Sequence, residues 1–228
     1  MSSAERKTKC IKIFKQALAH VWAEKSTLVA ISSSFSTNIM FLATYQFGTL
    51  VFKQVFKDDD ASQDYLDGQL SLYFLIGQLG VIPPIIVYGL IADRFKVWKL
   101  VFANHAVMLA SLVLFVVSVP DEDELYTQDS PQPVGMTIGF VTSIISASAV
   151  YQIQTTLLAK SLENADMSRG LIMGTMAFIT SIGVLIISYG GGHLYGVDNR
   201  SPAFIAITAE SITVLLIIIL ALCGELRI

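Results

Sequence analysis

Charge is what this sequence has least of. Only 14% of its 228 residues are Asp, Glu, Lys or Arg, against about 25% in soluble domains. With 54% of residues hydrophobic and a mean hydropathy of +0.63, that deficit excludes an ordinary soluble domain and implies a polytopic membrane protein. Cysteine is also scarce. Cys10 and Cys223 stand near opposite ends of the chain, so neither a disulfide framework nor a cysteine metal site is expected. No strongly basic surface argues for nucleic acid. No short apolar stretch followed by small residues opens the chain, so its start does not read as a secretory signal. Catalytic signatures are missing as well. There is no glycine-lysine nucleotide loop, no pair of His ligands at metal spacing, and no Ser or Cys in a nucleophile context. No enzyme, cofactor or metal is expected.

What is present is a set of long apolar runs. A bilayer core takes about 20 apolar residues to cross as a helix. Six runs qualify, at roughly 27–52, 68–91, 97–119, 134–159, 169–191 and 202–224, with ends uncertain by a few residues. The organising stretch is Gly89-Leu-Ile-Ala-Asp93-Arg94-Phe-Lys96-Val-Trp-Lys99. It is a short basic hinge that makes the second and third spans antiparallel neighbours. The connections alternate in sign. Lys57-Asp-Asp-Asp60 and Asp121-Glu-Asp-Glu124 are acidic, while Lys160 and Arg169 flank a basic inner loop. Twelve of the fifteen Lys and Arg fall on one side, the exceptions being Lys53, Lys57 and Arg200. Excess Lys and Arg mark the inner side, which predicts both termini inside. Two parts are expected: a basic amphipathic segment, 1–26, on the inner membrane surface, and a six-helix bundle, 27–228.

Polar residues inside the spans are the candidates for function. In span one, Ser34, Asn38, Phe41, Tyr45 and Gly48 step by three and four and share a helix face. Span two carries Gln78 before Pro83-Pro84, and proline kinks a helix. Span four holds Ser148 and Gln152 on one face, with Tyr151 beside it. Such faces either look at a water-filled cavity or glue helices together. His105 in span three and Glu210 in span six are the intramembrane ionisable residues. A carboxylate there is a functional candidate; the alternatives are a histidine packed and hydrogen-bonded in place and a protonated glutamic acid hydrogen-bonded to a neighbour. Span five repeats small residues: Gly170, Gly174, Gly183 and Gly190-Gly191-Gly192. Gly170-x-x-x-Gly174 predicts a close helix contact, and the triple glycine predicts an end or a bend.

The hinge resembles the loop signature of the major facilitator superfamily, Gly-x-x-x-Asp-Arg-x-Gly-Arg-Lys/Arg. Gly89, Asp93 and Arg94 match it, while Lys96 and Val97 depart from it. Arg169-Gly170-x-x-x-Gly174 through Gly191-Gly192-x-Leu194-Tyr195, then Pro202-Ala-Phe204, looks like the fifth helix of a half-transporter and its turn into the sixth. The resemblance covers nearly the whole chain and is closest to a C-terminal half. It implies an all-α polytopic six-helix bundle. It also implies a gating hinge of Gly89, Asp93, Arg94 and Arg169, with Gly89 letting two helices meet. Spans one, two, four and five would line the path, with Ser34, Asn38, Tyr45, Gln78, Ser148, Tyr151 and Gln152 as lining residues. Spans three and six would be scaffold, which weakens His105 and Glu210 as coupling residues.

Two functional expectations follow. One is a half-transporter for a small solute, working by alternating access with a partner. The other is a non-transporting subunit derived from a transporter, packed in a larger membrane assembly such as a respiratory complex of the mitochondrial inner membrane. The degenerate hinge, the single six-span unit and the expected lack of a buried ion pair favour the second. The polar faces of spans one and four favour the first. On either, the partners are the lipid bilayer and other membrane chains: a second half, a second copy or unrelated subunits.

Overall fold

The computed structural model describes residues 12, 15, 16, 19, 21–55, 60–91, 94–120, 134–162 and 169–226. These are helical apart from short turns, with no strand among them. Six helices are long and apolar enough to cross a membrane: α1 (Lys25–Val55), α2 (Asp64–Ile91), α3 (Val97–Val117), α4 (Val134–Ser161), α5 (Gly170–Tyr195) and α6 (Ser201–Leu222). The protein is therefore an all-α, multi-pass membrane protein. Most of the basic segment before α1 lies outside the described residues.

The helices run alternately up and down. At one end of the bundle Lys25 lies 3.8 Å from Glu225, and Thr27 Oγ1 donates to Ser161 Oγ at 3.0 Å. At the other end Lys53 meets Asp67 at 3.0 Å. There Tyr195 donates to Gln54 at 2.9 Å and Arg200 donates to the Val119 carbonyl at 2.8 Å.

α1 sits at the centre. Of its most apolar stretch 67% is buried, against 11% for α2 and 28% for α5. Its side chains hydrogen-bond to all five other helices. Thr27 and Thr44 reach Ser161 and Ser143 of α4. Ser33 reaches His105 of α3, and Ser32 reaches Thr213 of α6. Tyr45 pairs with Gln78 of α2, and Gln54 with Tyr195 of α5. Lipid offers no hydrophobic force between helices, so association depends on close packing and on bonds of this kind. The Ser/Thr-rich run that makes α1 polar is thus what holds it.

α3 and α4 approach most closely. A Cβ on Gly139 would stand 2.6 Å from the Phe115 nitrogen and 2.8 Å from the Ser111 carbonyl oxygen, and one on Gly135 would collide with Ser118 Oγ. Gly135-x-x-x-Gly139 is therefore a working small-residue contact. The stripe expected on α5 holds only in part. Gly183 abuts Phe35 and Ile39, at 3.0 and 3.2 Å from the Cβ position, and Gly191 abuts Phe47 at 3.2 Å. Gly174 and Gly192 have nothing within 4 Å, and Gly170 is exposed. The reason is rotational. α5 buries Ile172, Thr175, Met176, Gly183, Ile187 and Gly191, which leaves Gly170 and Gly174 on its outer side.

Three helices depart from regularity in their later halves. α2 breaks at Val81, between Asp60–Gly80 and Ile82–Ile91. Pro83 and Pro84 supply no N–H and crowd the carbonyls four residues earlier, so the break falls just before them. α1 and α5 each widen into a π turn, at Ala43–Gly48 and Ile186–Gly191. The triple glycine therefore does not end α5. The two π turns meet where Phe47 lies on Gly191.

Candidate functional site

Two polar regions share α1 and α4. The first is a cavity of about 400 Å³, open on one side. α1 contributes Thr37, Asn38 and Phe41, α2 contributes Gln78 and Val81, and α4 contributes Ala147, Ser148, Tyr151 and Gln152. These positions coincide because steps of three and four residues keep side chains on one helix face. Asn38 is held by a 2.7 Å bond from its amide to the Ser34 carbonyl. Gln78 donates to the Tyr45 hydroxyl, and the Tyr45 ring is stacked between Phe41 (4.1 Å) and Phe74 (4.8 Å). Thr37 also lines the cavity, and its buried hydroxyl has no hydrogen-bond partner. No lining residue is charged, so the wall offers hydrogen bonds and an aromatic ring.

Of the residues expected to line a path, Asn38, Gln78, Ser148, Tyr151 and Gln152 do line this cavity. Tyr45 stands behind Gln78, and Ser34 is buried beside Asn38. α5, also expected on the path, contributes nothing to the wall.

The second region is dry. His105 of α3 and Glu210 of α6 are both fully buried, with Nδ1 and Oε2 2.6 Å apart. The other ring nitrogen, Nε2, lies 2.6 Å from Ser33 Oγ. Ser33 Oγ in turn donates to Gln154 Oε1 of α4 at 3.1 Å. Four helices thus converge on one chain of hydrogen bonds. Two atoms in it have no partner: Glu210 Oε1 and Gln154 Nε2. From sequence neither ionisable residue has an assigned partner; here His105 and Glu210 meet each other in the middle of the bundle. Both residues were legible as candidates, but their pairing was not. Ser33 and Gln154, which complete the chain, were absent from the expected site residues. Their only signal was being small or polar inside a span.

Among the described residues little joins the hinge. Gly89 is exposed with nothing within 4 Å of a Cβ, so it allows no close helix approach here. It borders a smaller cavity of about 210 Å³ between α2, α3 and α4. Arg94 is exposed. Asp93 and the Arg169 side chain lie outside the described residues. Among the described residues no group of three or more His, Cys, Asp or Glu comes together.

Comparison of the chain with protein-family models, with curated proteins and with solved structures finds no match. The class therefore rests on the fold: a multi-pass helical membrane protein with an open polar cavity beside a buried acid–base chain.

Proposed function

We propose that this chain is a six-helix half of a solute transporter of the major facilitator kind, acting by alternating access with a partner. The observation that carries the reading is the open cavity between α1, α2 and α4. Its size is in the range of small-molecule sites, about 300–1,000 Å³. Its uncharged donors and acceptors suit a small polar solute without net charge. Unsatisfied polar groups in hydrocarbon cost several kcal/mol each, to order of magnitude. A wall bearing Thr37, Asn38, Ser148 and Gln152 is therefore better matched to water and a partner half than to lipid. The basic loops favour both termini on the inner side.

The test is accessibility. Asn38→Cys and Ser148→Cys, each in a background without Cys10 and Cys223, are exposed in vesicles to an impermeant thiol reagent. Reaction from the aqueous phase supports a wet path. Reaction only with a lipid-soluble reagent overturns it.

A second reading is a non-transporting subunit of a larger membrane assembly. It is favoured by the outer surface of α5, where Tyr189 is 86% exposed. A tyrosine whose ring and hydroxyl both lack cover within the chain fits burial against another protein. Photo-crosslinkers at positions 38 and 189 in native membranes separate the two. Capture of protein at 189 with a wet position 38 supports a partnered transporter. Capture of protein at both, with no aqueous labelling at 38, supports the structural subunit.

A further inference from the structure

We infer that the His105–Glu210 pair is a one-proton binding site whose occupancy is passed through Ser33 to the α4 wall of the cavity. The inference deepens the transport reading, because it names a proton as the coupling ion. It places coupling on α3 and α6, the two helices expected to be scaffold.

The steps are a matter of counting hydrogens. Ser33 has one hydroxyl hydrogen, and its oxygen stands between His105 Nε2 and Gln154 Oε1. When the hydroxyl donates to Gln154 Oε1, it can only accept from His105, so Nε2 carries a proton. A single proton then lies between Nδ1 and Glu210 Oε2. The pair as a whole is neutral in that state, and in a fully buried site it is held as imidazole with carboxylic acid, the shared proton resting on Oε2. Release of one proton leaves a single hydrogen on the imidazole, held on Nδ1 by the carboxylate. Nε2 then becomes an acceptor, and the Ser33 hydroxyl must turn from Gln154 to donate to it. Gln154 Oε1 loses its donor. The amide regains a bond only by rotating its Nε2, unpartnered in the first state, toward the Ser33 oxygen. Proton release thus forces Ser33 and Gln154 to turn round together. The balance is complete: the Nε2 proton leaves, and the carboxyl proton passes from Oε2 to Nδ1 along the same hydrogen bond.

The signal has a short way to travel. Gln154 is three residues from Tyr151 and two from Gln152, both in the cavity wall. On α1, Thr37 is one helical turn from Ser33 and on the same face. It lines the cavity and carries a buried hydroxyl without a partner. Competing titratable groups stand apart. On α1, Lys25 and Tyr45 are about 12 and 18 Å along the helix from Ser33 at 1.5 Å per residue. On α4, Lys160 is about 9 Å from Gln154, and on α3, Lys99 is about 9 Å from His105, by the same rise. On α6, Arg200 and Glu225 are about 15 and 22 Å from Glu210. Tyr151 of α4 is one turn away but half exposed. α5, packed on α1 and α6, carries Tyr189, His193 and Tyr195 at one end only.

The test uses the intact chain in vesicles. Infrared difference spectra across a pH titration should show a carboxylic-acid carbonyl signal that disappears in Glu210→Gln. Accompanying side-chain amide changes should disappear in Gln154→Leu. Separately, the labelling rate of Gln152→Cys by an impermeant thiol reagent is followed against pH. Relative to the same cysteine in Glu210→Gln, it should change about fivefold or more, the lower end of coupling between sites. Ser33→Ala should abolish that relative change while keeping the carboxyl signal, and it serves if Glu210→Gln fails to fold. A carboxyl signal that is absent, or unchanged in Glu210→Gln, overturns the site. A signal with no pH-dependent labelling overturns the coupling. The infrared readout requires neither transport nor a wet cavity, so a solute path refuted at position 38 leaves the proton site standing or falling on its own, while the coupling to the wall falls with the cavity.

Discussion

The four inner helices and the two outer ones are built by different rules. α1, α3, α4 and α6 bury a long hydrogen-bonded chain and bring backbones into contact at Gly139. α2 and α5 lean on this group with one face each and leave the rest uncovered. α2 buries only 11% of its most apolar stretch, and Leu79, Ile86 and Leu90 are exposed along it. Hydrophobicity does not separate the two sets, since all six helices are apolar enough to span. What separates them is the buried chain from Glu210 through His105 and Ser33 to Gln154, to which α2 and α5 contribute no residue. The cavity lies on the boundary, with two inner walls and one outer one.

The largest break in this contrast should come from Gly139→Leu. Overpacking costs about 1–3 kcal/mol even where side chains can move aside. Here the obstructing atoms are the Phe115 nitrogen and the Ser111 carbonyl, which cannot move without parting α3 from α4. We expect loss of the folded monomer on gel filtration in mild detergent. A monodisperse Gly139→Leu protein would show that the α3–α4 contact is not essential.

Next comes the buried pair. Removing one member of a buried acid–base pair costs about 3–5 kcal/mol, whereas replacing both by apolar groups is often neutral. His105→Leu and Glu210→Leu should each lower the melting point strongly, and the double variant should recover much of the loss. Equal, additive losses in the double variant would mean the two groups act independently.

A smaller effect belongs to the outer wall. Tyr45→Phe keeps the ring stack with Phe41 and Phe74 but removes the acceptor for Gln78. A neutral hydrogen bond is worth about 0.5–1.5 kcal/mol, so melting should shift slightly. Because Gln78 is then freed at the cavity wall, water accessibility of a cysteine at position 78's neighbour Val81 should rise. No change in either measurement would mean that α2 is positioned by lipid contacts alone.

How much of this was legible in the chain follows from what each feature depends on. The six helices were readable because span length is set by the bilayer, and every end lies within four residues of the run expected for it. The faces of α1 and α4 were readable because helical periodicity is local. The break near Pro83 was readable for the same reason, though it falls at Val81. The acid–base chain was not. His105 and Glu210 are 105 residues apart and Ser33 and Gln154 are 121 apart. No local pattern says which way two distant helices rotate toward each other. The π turns gave no sign either, since their glycines and aromatics suit an ordinary helix.

The smallest effect within the chain is expected from Gly174→Leu, and it is the one that speaks about partners. Gly135-x-x-x-Gly139 and Gly170-x-x-x-Gly174 are the same motif, yet only the first is filled by a neighbour. Within this bundle a leucine at 174 meets open space, so the folded monomer should survive with its melting point nearly unchanged. Small residues permit close approach only where another backbone comes near. If the outer side of α5 is covered in the native membrane, Gly174 is where the covering helix would come closest. Native-gel migration of wild type and Gly174→Leu from intact membranes then separates two cases. Unchanged migration of both as a small species means that lipid covers this face. A large wild-type species that collapses to a stable monomer in Gly174→Leu means that a second helix rests on α5 where this chain provides none.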